Sequence, residues 1–192
     1  RIDADRLQNY RGFFQNTRTG LGVELAIKTG RPVLKICGKN VILEAEDENR
    51  FHSGLDSAEW PMSLVLGQTP DTIFVSLGGS DLEKFQRAPA ASGNVDEFVG
   101  EYRCEELESI YRLYEDDGVL ILDIKGPGGC VEAIPLVRKA RDSFLMDNQS
   151  EGFALLWFSR NSQEKIEKLI VSGARTQGLV FKRNSQKTTR QP

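Results

Sequence analysis

Between Ser109 and Glu115 the chain alternates, with Ile110, Arg112 and Tyr114 on one side and Tyr111 and Leu113 on the other. A period of two predicts a β-strand whose faces meet different surroundings. Asp116-Asp117-Gly118 follows, a sharp hairpin signal because glycine takes positive φ at no steric cost. The next apolar run, Val119 to Ile124, is stopped by Gly126-Pro127-Gly128-Gly129. Further strands are predicted over Cys130 to Val137, Asp142 to Met146, Phe153 to Phe158, Glu164 to Val171 and Leu179 to Arg183, separated by polar or glycine-containing turns. With an opening strand over Phe98 to Arg103, this half of the chain contains eight.

The pattern occurs twice. A shift of 88 positions lays Leu7, Tyr10, Gly12 and Phe14 on Val95, Phe98, Gly100 and Tyr102. The same shift carries Leu25 to Leu113, Gly30 to Gly118, Leu34 to Leu122, Ile36 to Ile124 and Gly38 to Gly126. Farther on, Phe51 and Phe144 are 93 apart, while Val75-Ser76 and Val171-Ser172, like Phe85-x-Arg87 and Phe181-x-Arg183, are 96 apart. Eight extra residues therefore enter the middle of the second copy. The first copy holds the matching eight strands, from Tyr10 to Gln15 through to Leu82 to Arg87.

Two domains are thus expected, over 1–88 and 94–184. The small residues 89–93 read as a linker and the polar stretch 185–192 as a disordered tail. Strands every ten to twelve residues without long helical stretches predict an all-β chain of two tandem eight-stranded antiparallel up-and-down barrels. A sandwich is the rival architecture. Closure is preferred because short hairpins let each strand pair with its neighbour, and a closed sheet leaves no exposed edge.

Composition narrows the partners. Among 192 residues, 39% are hydrophobic and 28% charged, with a formal charge of −3. No apolar run is long enough for a membrane helix, and the basic residues are scattered among acidic ones, so neither a membrane nor a nucleic-acid partner is expected. Cys37, Cys104 and Cys130 form no C-x-x-C pair, which predicts free thiols and favours the cytoplasm over the periplasm. The absence of Met before Arg1 suggests an excised fragment.

Candidate chemistry is sparse. Ser162-x-x-Lys165 has the spacing of a serine-hydrolase nucleophile motif, but that motif needs a helix, and here it falls in a polar hairpin. The lone histidine, His52, sits in Phe51-His52-Ser53-Gly54 with no nucleophile or acid supplied by any motif. Glu44 to Glu48 and Asp116-Asp117 read as solvated turns, and no helix follows the glycines 126–129 to hold a phosphate. Phe14, Tyr102, Tyr111, Phe153, Trp157 and Phe158 lie on strands, where core filling is the simpler role. No catalytic, cofactor-binding or metal-ligating residues are predicted.

The runs Phe98-Val-Gly100-Glu-Tyr102, Glu106-Leu107-x-x-Ile110-Tyr111-Arg112-Leu113, Asp117-Gly118-x-Leu120, Phe144 and Val180-Phe181-Lys-Arg183 resemble the lipocalin-like barrels that follow the catalytic domain of serine β-lactamase-like hydrolases. The first copy resembles the same module through Tyr10-Arg-Gly12-Phe-Phe14, Thr19-Gly20-Leu21, Lys28-Thr-Gly30 and Phe51. Two such barrels in succession are the arrangement of D-aminopeptidases. The resemblance implies that catalysis belongs to a separate upstream domain carrying its own Ser-x-x-Lys motif, with a tyrosine motif and a third basic motif. It also implies that a loop of the second barrel restricts substrate access, or that the barrels mediate homo-oligomerisation.

The turns Asp147 to Gly152 and Ser159 to Glu164 are the candidates for such a loop, with Asp147, Asn148, Gln149, Asn161 and Ser162 as partner-facing residues. The expected role is a non-catalytic accessory region. Its alternatives are a free-standing protein whose barrels hold a small apolar ligand, and an independent hydrolase using His52.

Overall fold

The structure, a computed structural model, describes residues 4–36, 38–54, 61–148, 152–173 and 176–184, with side chains left aside at 4, 147, 148 and 152. Cys37, Gln149 and the tail 185–192 lie outside the described residues. The chain divides into two compact units, Arg1–Ala88 and Pro89–Pro192.

The first unit opens with a helix, α1 (Ala4–Gln8), and continues through β1 (Gly12–Gln15), β2 (Gly22–Lys28), β3 (Arg31–Ile36), β4 (Lys39–Ala45), β5 (Arg50–Ser53), β6 (Met62–Leu66), β7 (Thr72–Leu77) and β8 (Glu83–Arg87). Each strand pairs with the next, and β8 pairs with β1 to close the barrel. The second unit opens with a 3₁₀ turn, Val95–Phe98. It continues through β9 (Gly100–Cys104), β10 (Ser109–Asp116), β11 (Val119–Gly126), β12 (Gly129–Ala140), β13 (Ser143–Asn148), β14 (Gly152–Arg160), β15 (Ile166–Gly173) and β16 (Leu179–Arg183). Here β16 closes on β9. Two tandem eight-stranded antiparallel barrels are therefore the fold.

Hairpin chemistry repeats between the copies. Lys28 pairs with Arg31 and Asp116 with Val119, leaving Thr29-Gly30 and Asp117-Gly118 as two-residue turns. Both residues of each turn have positive φ, at 48° and 76° in the first and 49° and 80° in the second. That geometry matches the twist of the flanking strands.

Alternation places one face of every strand inside. The first interior is filled by Phe14, Val23, Leu25, Leu34, Leu43, Phe51, Leu64, Ile73, Val75 and Phe85 among others, and the second has its own core around Phe98, Tyr102, Leu122, Phe144, Leu156, Phe158, Leu169 and Phe181. Aromatic rings interlock in the second core, where Phe98 meets Phe144 edge-on at 4.9 Å and Phe158 at 4.7 Å between centroids.

The opening strand of each barrel starts later than the sequence reading has it. Tyr10 and Phe98 belong to no strand: Tyr10 follows α1 and Phe98 ends the 3₁₀ turn. Both are buried, because each pre-strand segment folds over one end of its barrel as a plug with Leu7 or Phe98 pointing inward. The Tyr10 hydroxyl donates to the carbonyl of Gly67 at 2.7 Å, and Arg6 donates to Asn49 Oδ1 at 2.6 Å, fastening α1 to the loops after β6 and β4.

The stretch 89–93 also makes defined bonds within the second unit. Arg141 N–H donates to the Pro89 carbonyl at 2.8 Å, and the Arg138 guanidinium donates to Ser92 and Gly93 carbonyls at 2.6 and 2.8 Å.

Candidate functional site

A buried ion-pair cluster lies at the plugged end of the second barrel, where the 3₁₀ turn meets the β12–β13 and β14–β15 turns. Arg160 ends β14 with its side chain only 11% exposed. Its Nε donates to both oxygens of Asp142 at 3.0 Å, while Nη2 reaches Asp142 at 2.6 Å and Glu97 at 2.8 Å. Nη1 donates to the Glu164 carbonyl at 2.8 Å. The hydrogen bonds that the guanidinium donates to Asp142 raise its pKa most, burial opposes the charge, and Glu97 reinforces it.

Arg138 forms a second layer. Its guanidinium carbon lies 5.3 Å from the Phe98 ring centre and 5.4 Å from that of Phe144. Its donors go to the carbonyls of Ser92, Gly93 and Arg141. Both arginines are occupied in joining loops over the aromatic core, an arrangement that stabilises the plug and leaves little donor capacity for a substrate. Sequence reasoning missed this cluster, since Glu97, Asp142 and Arg160 are far apart in the chain and share no motif.

The predicted partner-facing residues are not brought together. Asp147 and Asn148 extend β13, paired with Phe153 and Gly152, so the predicted loop there is shorter than the sequence suggested. The hydrogen-bonding preference of Asp and Asn for turns is overridden by a partner strand already in register. Gln149 lies outside the described residues. Asn161 and Ser162 lie in the turn at the other end of β14, where Arg160 pairs with Ile166. The nine residues of β14 separate the two turns by about 26 Å of strand.

Asn161 organises its own turn: its side-chain oxygen accepts from the backbone of Gln163 at 2.9 Å and Lys165 at 3.1 Å. Ser162 and Lys165 are both exposed in that hairpin turn, as the sequence reading expects. No helix holds them.

His52 sits on the outer face of β5, exposed, directly between Glu44 of β4 and Ser63 of β6 in the strand register. The row has the residue types of a catalytic triad, but the ring nitrogen Nδ1 is 3.2 Å from the carbonyl of Ser53, and no hydrogen bond joins the three side chains. Among the described residues, no group of three or more His, Cys, Asp or Glu could hold a metal ion.

The strand aromatics divide between faces. Phe14, Tyr102 and Phe158 are fully buried, Tyr111 and Trp157 are half-buried, and Phe153 is exposed. Burial raises the pKa of the Tyr102 phenol; the Arg183 charge pulls it down and Glu97 raises it. Its hydroxyl donates to the Phe98 carbonyl at 3.0 Å. Cys104 is a buried free thiol and Cys130 an exposed one. Among the described residues no helix is long and apolar enough to cross a membrane.

No protein-family model matches the chain, and no curated protein matches it.

Proposed function

We propose that these two barrels form a non-catalytic accessory region of a serine hydrolase of the D-aminopeptidase type, where they shape substrate access or assembly beside a separate catalytic domain. The observation that carries this reading is the tandem itself: two closed eight-stranded barrels with repeated closing residues, Gly12, Phe14 and Arg87 in one and Gly100, Tyr102 and Arg183 in the other. Filled interiors agree with a structural role, because side chains of the chain itself occupy the space in which a carrier barrel would hold cargo. The candidate residues fit it too: Ser162 and Lys165 lie in an exposed turn, and His52 is bonded to its own strand.

The test is genetic and then enzymatic. Sequencing the reading frame upstream of the Arg1 codon should give a continuous frame encoding a Ser-x-x-Lys hydrolase domain. Deleting the barrels from that protein should then change the range of D-amino acid amides and p-nitrophenyl esters it accepts, or its oligomeric state. A frame that begins at or near Arg1, or turnover by the 192-residue chain alone that Ser162→Ala abolishes, would overturn the reading.

A further inference from the structure

We draw no further inference here: the strongest candidate, the apolar outer face of β12–β16 in the second barrel, where Val137, Leu145, Leu155, Trp157, Ile170 and Val180 stand in neighbouring registers, carries none because nothing in the structure shows what covers it.

Discussion

The guanidinium carbon of Arg87 lies 4.8 Å from the centre of the Phe14 ring, joining the last strand of the first barrel to its first. Its nitrogens donate to the carbonyls of Asn9, Arg11 and Pro70 at 2.6 to 2.8 Å, and Nε pairs with Asp71 at 2.9 Å. Arg183 repeats the device, 5.8 Å over Tyr102, with Nη2 donating to Glu97 and Val99 carbonyls at 3.1 and 2.7 Å. In each barrel one arginine ties the plug segment to the closing seam. Arg183→Ala should cost about 2–4 kcal/mol in urea unfolding of the second barrel, since backbone acceptors lose charged donors. Arg183→Lys should recover little, because one ammonium cannot span both carbonyls and cover the ring. A loss below about 0.5 kcal/mol would show that the closure holds without it.

Gly12 and Gly100 make room for these arginines. They adopt φ of 144° and 153°, and a Cβ on Gly12 would collide with Nη1 of Arg87, whereas one on Gly100 would stand 3.3 Å from Nε of Arg183. Gly12→Ala should therefore destabilise its barrel by about 2 kcal/mol or more, combining backbone strain with displacement of the guanidinium. Gly100→Ala should cost less, and the ranking of the two denaturation midpoints is the measurement.

Tyr102 gives the second barrel a pH response. Its phenol ionises less readily in the folded state than in the unfolded chain because burial disfavours the phenolate. The unfolded state then binds fewer protons above about pH 10, so the stabilisation is complete below that pH and is lost as pH rises beyond it. Thermal melts from pH 8 to 11 should show a steeper alkaline decline for the wild type than for Tyr102→Phe. Parallel declines would count against the assignment.

The Arg160 cluster should behave as a partly buried ion pair. Arg160→Ala leaves Asp142, only 19% exposed, beside Glu97 without a counter-charge and should cost about 3 kcal/mol. Asp142→Asn in that background should restore part of the loss, because one stranded charge is removed. The unfolding free energies of the single and double variants form the required cycle.

The two candidate catalytic positions, Ser162 and His52, should be silent in stability. Both Ser162→Ala and His52→Ala alter exposed side chains and should stay within about 0.5 kcal/mol of the wild type. Chemical denaturation midpoints that move beyond this range would reveal contacts the two side chains make in solution.

The barrels were legible in the sequence because their determinants are local and written twice. Strand alternation such as Ile110 to Tyr114, the two positive-φ turns, and the matched pairs Leu34/Leu122 and Phe85/Phe181 all reappear at equivalent places in the closed sheets. Helix α1 was not legible, since its five residues are too few to show a helical period. The plugging of the barrels by Tyr10 and Phe98 was hidden for a related reason: each looks like a strand aromatic until the chain turns it inward over the core. The Arg160 cluster was invisible because charge partners 18 and 63 positions away leave no spacing signal.

Both closures are narrow, with Phe14 and Gln15 facing Arg87 and Gln86 in one barrel, and Tyr102 and Arg103 facing Arg183 and Lys182 in the other. In every such ring the chain departs from beside the strand at which it began. A duplicated gene segment can therefore be joined head to tail without rethreading either sheet. The second copy carries eight more residues than the first, so two rings of the same strand order close with hairpins of different length.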